Sequence, residues 1–251
     1  ACGHKGFCVE VELLFRSIPS PLIAFFFVSV VGMNILANKS IDTGLDWLAL
    51  DAGFILSWMC FLSMDLIVKR FGLRASNIVS VCALLFNLLM AVIFLLASLI
   101  PGEWAESFSD YAFGNEGIVN KAFDSTFRGN WFIVMGSSVA FLVSAIINNI
   151  TCFLLNRAFH NKTKFRTFAV ASYLSTAIGQ FIDNIIFALI VSMTLFGWGF
   201  VQCLTCATTG MIVELLCEII FSPLGYRILR GMEENEAGKA YLDYVAERKA
   251  Q

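Results

Sequence analysis

Six long apolar runs constrain the fold of this chain more than any other feature. An α-helix needs about 20 apolar residues to cross a bilayer. Runs of about that length or longer occupy 20–38, 46–68, 76–100, 130–156, 166–196 and 200–226. Strands of a membrane β-barrel would be shorter and would alternate with a period of two. The sequence therefore predicts an all-α, polytopic membrane protein with six transmembrane helices.

The composition agrees with a lipid environment. The 251 residues are 58% hydrophobic and 14% charged, with a mean hydropathy of +0.77. Soluble domains carry roughly a quarter charged residues, so this chain lacks the polar surface that water requires. A net charge of −2 argues against a nucleic-acid partner. The lipid bilayer is the expected partner.

The distribution of basic residues predicts the orientation. Of the 17 Lys and Arg residues, 14 fall in the N-terminal segment, the second and fourth connections and the C-terminal tail. The positive-inside rule then places both termini in the cytoplasm. We expect the protein to lie in the inner membrane of the cell. We expect a cytoplasmic segment at 1–19, a transmembrane domain at 20–229 and a charged cytoplasmic tail at 230–251.

The fifth apolar run carries the strongest candidate site. Gln180, Asp183 and Asn184 are spaced i, i+3 and i+4, so a helix places them on one face. Such groups cost several kcal/mol in hydrocarbon unless they face protein or water. This face is therefore predicted to border a polar cavity that binds a substrate.

Other polar residues in the apolar runs extend this site. The further substrate-binding candidates are Asn34, Asp51, Trp58, Asn148 and Asn149. Trp58 lies near the middle of its run, where it either packs in the core or stacks on a flat ligand. Asp65 is four residues before Lys69, which favours a helical ion pair over a binding role.

Glu214 and Glu218 form an i, i+4 pair in the sixth run. Two carboxylates in a low dielectric seldom both ionise, so one keeps a proton or finds a cation. These two residues are the candidates for proton coupling, and Glu214 is also a candidate for substrate binding. A Lys or Arg side chain that reaches in from the cytoplasm is the alternative partner.

Several other site classes are disfavoured. The Cys203 and Cys206 pair has the C-x-x-C spacing of thiol oxidoreductases, but the predicted outer loops contain no second cysteine pair. His4 and His160 lie outside the runs, so no metal site is predicted. No phosphate-binding P-loop occurs. We expect no enzyme and no cofactor.

The connection 101–129 is the longest outer loop in this interpretation. Its aromatic residues Trp104, Phe108, Tyr111 and Phe113 form either an interfacial amphipathic cap or part of a solvated connector.

Four segments in order resemble a known family. They are MNILANK at 33–39, MDLIVKRFG at 64–72, IGQFIDNIIFALI at 178–190 and FSPLGYRIL at 221–229. Together they resemble the VUT family of vitamin-uptake or queuosine-precursor transporters. The resemblance implies a six-helix importer similar in architecture to the substrate-binding subunits of energy-coupling-factor importers. Characterised relatives take up 7-deazaguanine bases.

The resemblance implies roles for the polar residues and shows two departures. Asp183 or Glu214 would accept hydrogen bonds from a guanine-like edge, while Gln180, Asn184 and Asn34 orient the base and Trp58 stacks on it. Members of the family that this chain resembles usually carry a carboxylate and a Lys at two positions where it has Asn149 and Glu214. The alternatives are a binding subunit that needs a separate ATPase module, or a membrane thiol enzyme that uses Cys203 and Cys206. A second copy of the chain is a further possible partner.

Overall fold

The computed structural model describes residues 2–41, 44–45, 50–102, 104, 116–158 and 165–250. Within these residues the chain forms eight long helices: α1 Cys2–Ser17, α2 Ser20–Leu36, α3 Phe54–Phe71, α4 Leu73–Ala97, α5 Glu116–Ala158, α6 Phe165–Phe187, α7 Phe200–Glu234 and α8 Lys239–Ala250. The extended pairing described is an isolated bridge between Ser40 and Asp51. The predicted all-α class is confirmed.

Four helices are long and apolar enough to cross a membrane, namely α4, α5, α6 with its continuation to Leu195, and α7. A fifth span results if α1 and α2 count as one broken span, with a bend of 103° between them. The remaining predicted span corresponds to α3, whose 18 residues include Asp65, Lys69 and Arg70. The described helices therefore support four or five spans by length and composition.

The fourth predicted span begins much earlier than expected. We predicted a connector up to 129, whereas α5 starts at Glu116 and has 43 residues, about 65 Å at the usual helical rise. A helix that extends beyond the hydrocarbon can carry charged residues. The charges in 116–129 were therefore a poor indication of a loop. Trp104 packs on α5: its indole nitrogen donates to Asp124 Oδ1 at 2.7 Å, and its ring lies near Phe127. The predicted cap residues Phe108, Tyr111 and Phe113 lie outside the described residues.

Helix α3 occupies the centre of the bundle and packs against α2, α4, α5, α6 and α7. Most of its residues from Ser57 to Phe71 are buried, including Asp65. The outer faces of the surrounding helices instead expose large apolar side chains, for example Leu85 on α4 and Ile220 on α7. This arrangement is the one expected when apolar faces contact lipid and the polar residues of α3 face protein.

Helices α1 and α8 cover one end of the bundle. We call it the basic end because it carries Lys69, Arg70 and Arg157. Glu10 of α1 is buried and binds two arginines, Arg74 at 2.6 Å and Arg248 of α8 at 3.1 Å. Tyr241 of α8 is 1% exposed. The C-terminal tail, which we predicted to be a charged cytoplasmic segment, therefore contains a helix, α8, that packs on the bundle.

Candidate functional site

A narrow pocket lies among α2, α3, α5, α6 and α7, away from the basic end. We call it the carboxylate pocket. Its polar lining includes Asn34, Asp51, Ser57, Asp183, Asn184 and Glu214. Five of these six were predicted as substrate-binding residues from the sequence. The structure brings them together from four separate segments.

Each carboxylate in the pocket is bonded to neutral groups. Asp183 Oδ1 accepts a hydrogen bond of 2.7 Å from the Ser144 hydroxyl of α5. Asp51 Oδ1 accepts one of 2.7 Å from the backbone N–H of Gly53, just before α3 begins. Of the described residues that line the pocket, none is basic. The acceptor capacity of these two carboxylates is therefore only partly used.

Glu214 is the most buried of the three carboxylates, at 2% exposure. It accepts a hydrogen bond from the Ser57 hydroxyl of α3 and one of 3.1 Å from Asn184 Nδ2 of α6. It therefore joins three helices at a single side chain. Charge-assisted hydrogen bonds of this kind are stronger than neutral ones.

Close helix contacts fix the position of Asn184. A Cβ atom placed on Gly210 of α7 would lie 2.7 Å from Asn184 Nδ2. The absence of a side chain at Gly210 thus lets the amide lie against α7 and reach Glu214. Shortly after Asn184, α6 widens into a π-helical turn at Ala188–Ser192. Such turns are frequent at functional sites because they break the regular backbone ladder.

Asn34 adds an acceptor that no protein group uses. Its Nδ2 donates to the Val30 carbonyl at 2.7 Å, while its Oδ1 has no partner among the described residues. The residue is 2% exposed. A buried amide oxygen without a partner costs free energy unless a ligand or water bonds to it.

A second polar group lies closer to the basic end, and we call it the Asp65 cluster. Asp65 is fully buried and pairs with Lys69 at 3.7 Å, which confirms the predicted helical ion pair. It also accepts hydrogen bonds from Asn148 Nδ2 at 3.1 Å, from the Ser172 hydroxyl, and from Ser175 at 3.1 Å. Its charge and its oxygen atoms are therefore well satisfied by protein.

The remaining predicted site residues lie outside the lining of the carboxylate pocket. Trp58 stacks on Phe221 with ring centroids 4.2 Å apart and donates to the Ile55 carbonyl. Asn149 joins α5 to α4 through Ser76 and Asn77.

Gln180 and Glu218 are buried between the pocket and the Asp65 cluster, with no hydrogen-bond partner among the described residues. No Lys or Arg in the described part of the chain forms a salt bridge with Glu214 or Glu218.

Cys203 and Cys206 are buried free thiols. The Cys203 sulfur lies 3.5 Å from the Ala188 carbonyl oxygen, where α7 meets the π-helical turn. Burial in this packed contact is typical of cysteines that behave as small apolar residues.

The space inside the carboxylate pocket is small, about 30 Å³. A cavity of that size holds a few water molecules at most, whereas sites for organic ligands have several hundred Å³. A larger cavity of about 530 Å³ opens at the basic end, where Lys69, Arg70 and Arg157 are among its lining residues. We call it the basic-end cavity.

A family model described as "Putative vitamin uptake transporter" matches residues 51–228. The chain belongs to this VUT family. The match runs from Asp51 into α7, so it contains all three pocket carboxylates but not Asn34. Membership confirms the resemblance noted in the sequence and makes this a multi-pass membrane protein of a transporter family. No curated protein and no solved structure matches the chain.

The sequence assigned no role to two hydroxyl groups of this candidate site. Ser57 binds Glu214 across 157 positions of the chain, and Ser144 binds Asp183 across 39 positions. Serine is common in membrane helices as a local hydrogen-bonding residue. The one available signal was that both serines lie in the same runs as other polar residues.

Proposed function

We propose that the carboxylate pocket binds a small planar nutrient rich in hydrogen-bond donors, most of all a 7-deazaguanine base, and that the chain imports it. The observation that carries this proposal is the set of three carboxylates that lack a basic partner in the described structure. A guanine-like edge presents a ring N–H and an exocyclic amine side by side. One carboxylate can accept both.

The contacts suggest a division of roles within the site. Among the described residues Asp183 accepts one side-chain hydrogen bond, from Ser144 to Oδ1, which makes it the best acceptor for the donor edge. Asn34 Oδ1 and Asn184 flank it and would orient the ring. Glu214 would pair with an amine on the ligand. Gln180 lies deeper and would reach the ligand after a movement of α6.

Such a ligand needs the pocket to widen. Two features of the adjoining helices allow this: the π-helical turn after α6 and Pro223 within α7. Proline removes one backbone hydrogen bond and weakens the helix locally. Rocking of α6 and α7 at these points would open the pocket in an alternating-access cycle.

The proposed topology has six spans, and α3 is the sixth crossing although its length and composition alone do not mark it as one. Its three charged residues are compatible with a central position, because Asp65 pairs with Lys69 inside the protein. With the protein in the inner membrane, the basic end then faces the cytoplasm. The cytoplasmic segment 1–19, the transporter domain 20–229 and the tail 230–251 follow from this orientation.

The test is uptake in a bacterial strain that makes no queuosine precursor and lacks its own importer. Cells expressing the chain receive a 7-deazaguanine base, and queuosine in tRNA is measured. We expect restoration by the wild type, loss in Asp183→Asn, and retention in Asp243→Asn, the same change on the exposed face of α8. Equal restoration by all three would contradict the assignment of Asp183.

A binding subunit that needs a separate ATPase module is the alternative within transport. Purified protein in liposomes distinguishes the two, because a lone binding subunit binds the base without accumulating it. Accumulation by the purified chain would exclude the ATPase requirement.

A further inference from the structure

A group of buried polar atoms without partners lies between the carboxylate pocket and the Asp65 cluster. It comprises both carboxylate oxygens of Glu218, both amide atoms of Gln180, the Thr176 hydroxyl and Asn148 Oδ1. All four residues are fully buried. Unpaired polar atoms are rare in protein interiors and call for an explanation.

The packing of α6 against α7 places Gln180 and Glu218 between the two sites. The helices run antiparallel, since Tyr173 meets Ser222 near one end and Asn184 meets Glu214 further along. Thr176, Gln180 and Asn184 share one face of α6 at successive spacings of four. Glu218 is one turn from Glu214 on α7, in the direction of the basic end.

This group has more acceptors than donors. Its unpaired acceptors are the two oxygens of Glu218, Gln180 Oε1 and Asn148 Oδ1, whereas the unpaired donors are only Gln180 Nε2 and the Thr176 hydroxyl. An ionised carboxylate only accepts hydrogen bonds, but a protonated one also donates. A proton on Glu218 therefore supplies a donor that the group lacks.

The charged groups around Glu218 do not provide a counter-ion. On α3 these are Asp65 and Lys69, and that lysine already pairs with Asp65. On α6 and α7 the nearest are Asp183 and Glu214, both negative when ionised. Helix α5 contributes the neutral Asn148 and the Cys152 thiol. An unpaired buried carboxylate is costly in such surroundings, which again favours a bound proton.

A hydroxyl group connects Glu218 with the ion pair. Ser172 and Thr176 of α6 lie next to Glu218, although Glu218 is not hydrogen-bonded in this arrangement. The Ser172 hydroxyl donates to Asp65 Oδ2, and Lys69 lines the basic-end cavity. Chains of ionisable side chains inside the membrane serve as proton relays in pumps and transporters, and a hydroxyl between two such groups can pass a proton because it both donates and accepts.

We propose that Glu218 is a proton-binding site that exchanges its proton with the basic-end cavity through Ser172, Asp65 and Lys69. On release, the O–H bond of Glu218 breaks and Ser172 accepts this proton as its own passes to Asp65. Lys69 gives a proton to water in the cavity and regains one from Asp65. Glu218 is left ionised, and the reverse steps reload it. The further step that proton binding drives import rests on the proposed function.

Infrared difference spectroscopy of the purified full chain, recorded between acidic and alkaline pH, tests the proton site without any substrate. We expect a carbonyl band of a protonated carboxyl group that is lost in Glu218→Gln and kept in Glu247→Gln, the same change on an exposed residue of α8. Because glutamine is neutral like protonated Glu218, the variant should melt at nearly the wild-type temperature. Glu218→Asp should keep a shifted band. An unchanged spectrum in Glu218→Gln would overturn the proposal.

Two further measurements test the relay and its use. Ser172→Ala should retain the band but slow its appearance after a pH jump, and an unchanged rate would overturn the route. In liposomes, Glu218→Gln should lose accumulation of a radiolabelled 7-deazaguanine base driven by a proton gradient yet keep exchange of the base across the membrane. Gradient-driven accumulation at the wild-type level would refute the coupling. If the wild type moves no base, the proposed function fails while the infrared result still decides the proton site.

Discussion

The Asp65 cluster and the carboxylate pocket contain the same kinds of residue but differ in how fully their carboxylates are paired with protein groups. Asp65 has a lysine within 3.7 Å and hydrogen-bond donors from α5 and α6. Asp183 and Glu214 have only neutral donors, from Ser144, Ser57 and Asn184. A buried charge with all its partners stabilises a fold, whereas one with spare acceptor capacity is suited to a ligand. The contrast points to substrate recognition by the second group. The first group stabilises the fold, and its Asp65 and Lys69 are also the residues proposed above to pass a proton.

The largest effect is expected from Lys69→Met, which leaves Asp65 buried without its counter-ion. Removal of one partner of a buried ion pair costs about 3–5 kcal/mol. Thermal unfolding of the detergent-purified protein should show a strong decrease in stability. The double variant Asp65→Asn, Lys69→Met should recover part of it. Lys239→Met is the control, because Lys239 pairs with Glu236 on the exposed surface, and exposed pairs contribute little to stability. Equal losses of stability in Lys69→Met and Lys239→Met would contradict a special stabilising role of the buried Asp65–Lys69 pair.

Glu214→Gln is expected to have the reverse pattern, with weaker binding and little change in stability. Glutamine still accepts from Ser57 but lacks the charge that a ligand amine or ring N–H would meet. Loss of a charge-assisted hydrogen bond of about 1.5–3 kcal/mol lowers affinity roughly tenfold to a hundredfold. Calorimetry with a 7-deazaguanine base measures this, with Glu247→Gln as the control. A variant that binds as the wild type does but unfolds much earlier would place Glu214 with Asp65 as a structural residue.

Gly210→Ala tests the position of Asn184 without a change in charge. The added methyl group would lie 2.7 Å from Asn184 Nδ2, so the amide must shift away from Glu214. We expect affinity to fall about severalfold, the value of one modest hydrogen bond. Gly231→Ala lies in the same helix with open space around it and should bind like the wild type. Identical affinities for the two variants would show that the Asn184–Glu214 contact is not needed for binding.

The smallest effect is expected from Trp58→Phe. Phenylalanine keeps the stacking on Phe221 and loses only the hydrogen bond to the Ile55 carbonyl. Since Trp58 lies outside the pocket lining, affinity should stay within about twofold of wild type, a change below ~0.5 kcal/mol. A much larger loss of affinity would show that Trp58 stacks on the ligand in another conformation, which is one of the two alternatives that the sequence left open.

Local contacts are where prediction from the sequence worked best. The Asp65–Lys69 pair follows from i, i+4 spacing alone, because both partners lie on one helix. The face shared by Gln180, Asp183 and Asn184 was predicted from the same helical spacing, at i, i+3 and i+4. Helix boundaries were predicted less well. The sequence indicated a connector up to 129, whereas α5 begins at Glu116, because a helix that leaves the hydrocarbon can carry charges on its exposed turns.

The sequence by itself determined an all-helical membrane protein of the VUT family, with its polar residues confined to a few turns. Apolar length and helical periodicity are properties of one segment at a time, and they can be read from that segment. Only the tertiary structure decided that Asp183 and Glu214 meet in one pocket while Gln180 and Glu218 lie deeper. Spacing fixes the face of a helix on which a residue lies. The partners of that face depend on packing between helices distant in sequence, as the contact of Glu214 with Ser57 shows.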